Sequence, residues 1–231
     1  SIFDYLFQAV ASLQHVFIDG WTDNALLSLE YSLTGLNVVF WLQRFIHPFV
    51  TEAMMFSYVA YIPLLPIVGL ICLFSGGERG MKDFLLNLSM TYSICFIGFI
   101  IFPVASPLHY SPQLYTVPLQ GGLFTWCGEW VRSNMHYPGG SLPSPHCAAT
   151  TIMMVMLYRY NRPLLYVSLP ILIWIYFSTV YGRYHYVWDG IAGILAAILI
   201  LKLSPKVATA LGNISERYAR LNEARPTINS I

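Results

Sequence analysis

Four long stretches of this chain are apolar and nearly free of charge, and nothing else in the sequence limits its fold so severely. Residues 51–74 carry one charge, Glu52, at their edge. Residues 84–103 and 164–180 carry none, and 187–203 have Asp189 near the start and Lys202 near the end. A helix crosses the roughly 30 Å hydrocarbon core of a bilayer with about 20 apolar residues, so each stretch is long enough to span it. A fifth and shorter one, 146–160, must cross too if its neighbours are to alternate in direction. Residues 2–18 read as a sixth span or as an amphipathic interfacial helix, since Asp4, Gln8, Gln14 and His15 interrupt them. No basic segment precedes them, which argues for an uncleaved helix over a signal peptide. Residues 19–50 read as interfacial helix and loop.

Composition agrees. Charged residues make up 10% of the chain and hydrophobic ones 56%, against about 25% charged in a soluble domain. So few charges cannot cover a globule with a polar surface. The sequence therefore predicts an all-α, polytopic membrane helix bundle of five or six transmembrane helices, with an extracytoplasmic loop and an interfacial N-terminal helix. Residues 1–50 form the N-terminal span or interfacial helices, 51–203 the bundle, and 204–231 a basic cytoplasmic tail. Disordered, collagenous and nucleic-acid-binding classes are excluded. The four cysteines form no CxxC pair and no zinc spacing; only Cys127 and Cys147 could face one compartment and bridge.

Lys and Arg set the orientation. Arg79 and Lys82 lie between the first two clear spans, Arg159 and Arg162 between the next two, and Lys202, Lys206, Arg217, Arg220 and Arg225 at the end of the last span and beyond it. That puts nine of the 12 basic residues on one side, the cytoplasmic one, and leaves Arg44, Arg132 and Arg183 on the other. The long stretch 104–145 and the short turn 181–186 are then both extracytoplasmic.

Those two segments hold the unusual polar residues. One is Pro143-Ser144-Pro145-His146, ahead of a span. The other runs from Ser178 to Gly190, with His185 and Asp189 four apart. On a helix that spacing shares a face, so Asp189 can accept a hydrogen bond from one imidazole nitrogen of His185 and raise the basicity of the other. A lone intramembrane His–Asp pair can serve merely to pin helices. A second histidine in a proline-framed turn on the same side favours chemistry. Met153, Met154 and Met156 read as packing, Trp126, Trp130, Tyr137, Tyr186 and Trp188 as an interfacial belt, and Gly190 and Gly193 as sites of close helix approach.

The pattern resembles the type 2 phosphatidic acid phosphatase superfamily, whose signature has three blocks: Lys, six residues, Arg-Pro; Pro-Ser-Gly-His; and Ser-Arg, five residues, His, three residues, Asp. Pro143, Ser144 and His146 match the second, and Ser178, His185 and Asp189 match the third. Residues 102–107 (FPVASP) and His47-Pro48 look like the branch containing inositol phosphorylceramide synthases. The resemblance covers about residues 45–203.

It implies that His185 attacks phosphorus, oriented by Asp189, and that His146 protonates the leaving oxygen and then activates water. Ser144 would contact a phosphoryl oxygen. No metal or other cofactor is called for. Three departures stand out: the first block is missing, Thr179 occupies the usual Arg position, and Pro145 replaces the Gly. Arg183 is the expected substitute cation, with Arg132 and His109 as further phosphate-binding candidates.

The activity implied is that of a multi-pass membrane phosphatase acting on a lipid phosphate monoester or pyrophosphate at the extracytoplasmic face. The alternative is a phosphotransferase that passes a phospho-headgroup to a lipid or inositol hydroxyl. A channel or proton-coupled carrier would need polar residues deep in several spans, and the absence of charges from the long middle spans argues against it. A haloperoxidase would show a soluble composition.

Overall fold

A computed structural model describes residues 9–135 and 138–223. Among the described residues every regular element is helical. They run as α1 (Asp23–Thr34), α2 (Val38–Trp41) with a 3-10 turn (Leu42–Phe45), α3 (Pro48–Ile101), α4 (Pro107–Tyr110), α5 (Leu123–Met135), α6 (Pro145–Tyr160), α7 (Arg162–Tyr181) and α8 (Val187–Glu223). Part of the segment expected to be a sixth span or interfacial helix lies outside the described residues. The rest leaves helical geometry after residue 11, so no continuous helix reaches Ile18.

Three helices, α3, α7 and the first 27 residues of α8, are long and apolar enough to cross a membrane. A fourth candidate is α1 taken with residues 38–45, which meet at 77°. Only 22%, 33% and 28% of the apolar windows of α3, α7 and α8 are buried within the protein. Phe74, Val167 and Phe177 are among the large side chains facing outward. Apolar surface this continuous is untenable in water and matched by lipid tails. The chain is a membrane protein.

The 54 residues of α3 do not form one rod. At Gly77 the backbone turns to φ 63, ψ −156, outside helical geometry, and the two arms run back along each other. The hydroxyls of Tyr61 and Tyr92 meet at 2.5 Å. A Cβ on Gly69 would lie 3.1 Å from the Phe84 ring, and one on Gly80 only 2.2 Å from the Cys72 carbonyl. The separate stretches 51–74 and 84–103 are thus the arms of one helical hairpin. Its bend sits beside the α6–α7 turn, where Asn161 Nδ2 donates to Ser75 Oγ at 2.9 Å and Tyr160 donates to Asp83. Arg79, Lys82, Arg159 and Arg162 belong to this end of the bundle. The starts of α3, α6 and α8 gather at the other.

At 16 residues α6 is short, but it is the central helix, packed against α3, α7 and α8. Ala148, Ala149, Ile152, Met153, Met156 and Leu157 are all buried, so the methionines are core filler as the sequence predicts. All four cysteines are free, and Cys127 and Cys147 form no bridge. α8 continues unbroken through Pro205 to Glu223, so the boundary expected at 204 is not a break in secondary structure. Within the long stretch 104–145, α5 is capped from another helix. The carboxylate of Glu52 on α3 accepts from the N–H groups of Gly122, Phe124 and Thr125 at 2.7, 2.6 and 3.0 Å. Trp126 and Trp130 face outward from α5, but Tyr186, expected in the same belt, is buried with its hydroxyl bonded to Asp23, and Tyr137 lies outside the described residues.

The hairpin bend generates a test. Nothing lies within 4 Å of a Cβ built on Gly77, so the cost of a side chain there is conformational alone. That region of φ/ψ is essentially reserved for glycine, at about 1–3 kcal/mol for other residues. Gly77→Ala should lower the melting temperature in detergent, whereas Gly212→Ala, in open space on α8, should not. Equal melting temperatures for Gly77→Ala and wild type would contradict the bend as drawn.

Candidate active site

Where the helix starts gather, two irregular segments are held together backbone to backbone. Ser144 is the N-cap of α6, its hydroxyl accepting from the Cys147 N–H at 3.3 Å, and Pro145 follows at the first helical position, where its missing N–H costs nothing. This puts His146 in the first turn. The Ser144 N–H donates to the Asp189 carbonyl at 2.8 Å, joining the start of α6 to that of α8. A Cβ on Gly193 would lie 2.4 Å from the Ser144 carbonyl oxygen, so glycine is what lets the two helices approach.

His185 sits in the turn ahead of α8 and not on the helix itself. Arg183 adopts φ 68, and the Thr179 carbonyl accepts from the N–H groups of Tyr184 and His185 at 3.0 and 3.1 Å. Thr179, at the position where arginine was expected by resemblance, therefore organises the turn through its backbone. Asp189 reaches back to accept from the Tyr186 N–H at 2.8 Å, one half of a capping box.

His185 and Asp189 are both buried, but their contact is longer than the spacing argument implies: Nδ1 to Oδ2 is 3.5 Å. Ser141 stands between them. Its hydroxyl donates to Asp189 Oδ2 at 2.6 Å, and its carbonyl lies 3.0 Å from His185 Nδ1. A carbonyl can only accept, so Nδ1 carries the proton and Nε2 presents its lone pair. Nε2 faces His146 Nδ1 at 3.3 Å. The His146 ring is stacked on Tyr58, with centroids 5.1 Å apart, and Tyr58 stacks on Tyr184 at 4.2 Å.

Ser141, His146, His185, Tyr58 and Tyr184 line a cavity of about 150 Å³ together with Ser106, Arg132, Gly139 and Gly140. Gly139 and Gly140 have φ 94 and 74, and a Cβ on Gly139 would collide with the Gln14 amide, 1.9 Å away. Among the described residues the N–H groups of Gly140 and Ser141 meet no acceptor. Successive amides in such a turn form a nest suited to an anion. Arg132 is the one Lys or Arg among the described residues that lines the cavity, and it is paired with Glu129 at 2.5 Å.

The sequence-predicted residues thus divide. His146, His185 and Arg132 come together at the cavity, with Asp189 directly behind. Ser144 is fully buried as a helix cap and lines none of it. Arg183 turns away: its guanidinium donates to the Val117 carbonyl and lies 4.2 Å over the Tyr115 ring, pinning the long loop. His109 does not line the cavity; its Nδ1 meets the Ser106 hydroxyl at 3.2 Å, and burial and the nearby Arg132 charge hold its pKa below the usual imidazole range. His47 of the His-Pro pair caps α3 through the Phe49 N–H. Ser141 was missed. Its signal lay in the Gly-Gly-Ser run just ahead of the proline-framed histidine.

A family model described as the PAP2 superfamily matches residues 24–203. A PA-phosphatase related-family protein of Dictyostelium discoideum is 32% identical over 131 residues, which cover 54% of this chain. The match spans 23% of that relative's length. No solved structure matches.

The approach of α8 to α6 is open to test. Gly193→Ala sets a methyl against backbone, which cannot swing aside, and overpacking of this kind costs about 1–3 kcal/mol. Gly190→Ala meets only the Cys147 sulfur, at 3.3 Å. The first substitution should therefore lower thermal stability in detergent clearly more than the second; a reversed order would refute the packing.

Proposed function

Because the chain belongs to the PAP2 superfamily, we propose that it is a membrane lipid phosphatase, hydrolysing a lipid phosphate monoester or pyrophosphate through a phosphohistidine. The observation that carries this reading is the 3.3 Å contact between His185 Nε2 and His146 Nδ1 at the cavity wall, with the other His185 nitrogen already engaged by Ser141. In this reading the Nε2 lone pair attacks phosphorus and the bond to the leaving oxygen breaks. His146 gives that oxygen its proton. His146 then takes a proton from water, which attacks the phosphohistidine and releases phosphate and the free His185 imidazole.

Asp189 stabilises the positive charge that develops on His185, acting in part through the Ser141 hydroxyl. Arg132 and the Gly140 and Ser141 amides receive the equatorial oxygens. Ser144 and Arg183 support the site from outside it, as a helix cap and as a clamp on the loop.

The reading includes a topology. The two arms of α3 with α6, α7 and α8 make five spans, residues 51–203 form the catalytic bundle, and the described residues before 51 lie beside it. Arg79, Lys82, Arg159 and Arg162, at the end opposite the cavity, support a cytoplasmic bend and an extracytoplasmic site. A cysteine at Pro138 in a Cys127→Ser background should then react with an impermeant reagent from the extracytoplasmic side alone. Labelling from the cytoplasm alone would invert the topology.

A second reading has its own support. With one lining Arg among the described residues, and that one shared with Glu129, the cavity matches a singly charged phosphodiester as well as a doubly charged monoester. The enzyme is then a phosphotransferase of the inositol phosphorylceramide synthase type, whose phosphohistidine keeps a headgroup and is intercepted by an alcohol.

Purified protein incubated with lipid phosphate monoesters, pyrophosphates and phosphodiesters, with and without inositol or ceramide, separates the two. Free phosphate without any acceptor supports the phosphatase; new phospholipid only when an alcohol is present supports the transferase. His185→Ala should abolish either activity, and Asp189→Asn should lower it by about two to four orders of magnitude. Ser141→Ala should lower kcat, while Ser144→Ala should act on stability by about 1 kcal/mol. His146→Ala should lose most on poor leaving groups and least on aryl phosphates. Substantial turnover by His185→Ala in folded protein would remove the nucleophile assignment.

A further inference from the structure

Asp23 opens α1, far in sequence from the motifs, yet it is fully buried. A carboxylate is costly to bury unless its oxygens are satisfied. Here both are, and by two different segments that lead into the cavity lining. Oδ1 accepts from the Tyr186 hydroxyl at 2.8 Å, and Oδ2 accepts from the Ala105 N–H at 2.8 Å. Tyr186 directly follows His185, and its own N–H donates to Asp189, so the first bond ends on the turn that carries the histidine. The carbonyl of Ala105 accepts from the Gly139 N–H at 3.2 Å, and Ser106 comes next, so the second bond ends on the segment that holds these two lining residues. Thr22 adds to the grip, its N–H and hydroxyl both donating to the Pro103 carbonyl at 2.8 and 2.9 Å. For fold alone an apolar residue would pack here at lower desolvation cost.

We propose that Asp23 is a positioning residue for His185: one carboxylate straps the turn carrying the nucleophile to the Ala105–Gly139 segment, and so fixes where that turn sits relative to the rest of the cavity lining. The proposal rests on the reading of His185 as nucleophile. A displacement of about 1 Å at a reacting centre is enough to cost about a hundredfold in rate. Tyr186→Phe removes the hydroxyl and keeps the ring. Asp23→Asn keeps the shape but exchanges the charge-assisted bond for a neutral one, in which the Tyr186 hydroxyl must turn round to accept from the amide, so the connection is weakened.

The test compares wild type, Asp23→Asn, Tyr186→Phe and the double variant as purified full-length protein. Steady-state kinetics on an aryl phosphate and on lipid phosphates are measured beside the affinity for orthovanadate, which needs the geometry of the cavity but no turnover. Each single variant should lose about ten- to a hundredfold in kcat, with KM changed by less than about twofold. The double variant should lose no more than the worse single one, because both cut the same connection. Vanadate affinity should fall in step.

Unchanged kcat in folded Tyr186→Phe, or losses that multiply in the double variant, would overturn the strap. If Asp23→Asn does not fold, Tyr186→Phe decides alone. If wild type turns over no phosphate ester, the phosphatase reading fails and vanadate decides the strap. Weakening by about tenfold in Tyr186→Phe upholds it, and unchanged affinity overturns it.

Discussion

One backbone hydrogen bond, from the Ser144 amide to the Asp189 carbonyl, ties the starts of two helices together. Much of the site's geometry follows from it. A helix start can approach another this closely only where a side chain is absent, and Gly193 supplies that absence. Once α6 and α8 begin side by side, a residue in the first turn of α6 and a residue just ahead of α8 must face each other. Those residues are His146 and His185. The α3 hairpin then closes the bundle, so that Tyr58 on its first arm lies against the His146 ring.

The site occupies the stretch of chain where a membrane bundle can tolerate irregular backbone. Where water is shut out each amide and carbonyl needs a partner from the protein, so the segments 103–108, 139–144 and 179–189 bond to themselves and to one another, the Gly140 and Ser141 amides excepted. They do so pairwise: Gly139 with Ala105, Leu108 with Arg183, Ser144 with Asp189, and Tyr184 and His185 with Thr179. Walls joined by directed bonds hold their spacing better than walls that only pack, and a held spacing is what preorganised electrostatic stabilisation requires. Buried Asp23 and the Ser141–Asp189 bond belong to the same scheme.

How much of this could be read from the sequence depended on the range of the interaction. Charge-free length is local, and the apolar stretches of α3, α7 and α8 were legible for that reason. So was the pairing of a proline-framed histidine with a His–Asp turn. Whether Arg183 points inward or outward depends on the left-handed backbone at that residue and on Tyr115, nearly 70 positions away, and spacing carries neither. A capping serine and a ligand serine look alike in a motif, so spacing alone does not distinguish the helix cap that Ser144 is from a phosphate ligand. Ser141 and Asp23 act through partners 48 and 163 positions distant, beyond any local pattern. The bend at Gly77 was open to inference from Gly-Gly between two spans, but the contact of Tyr61 with Tyr92 was not.

Charge is where this site differs most from what its motifs suggest. In phosphoryl transfer the equatorial oxygens need donors that are fixed before the reaction begins, and a cation is only one way to supply them. Here Arg132 divides its guanidinium between the cavity and Glu129, while two adjacent glycines at positive φ turn the chain at the cavity wall, where the Gly140 and Ser141 amides find no partner among the described residues. Amide donors supply hydrogen bonds without a formal charge. They therefore discriminate less between a doubly and a singly charged phosphate than three cations would. If the cavity receives a phosphate ester as proposed, it need not select its substrate by phosphate charge, and selection would pass to the shape of the headgroup and to the aromatic wall of Tyr58 and Tyr184.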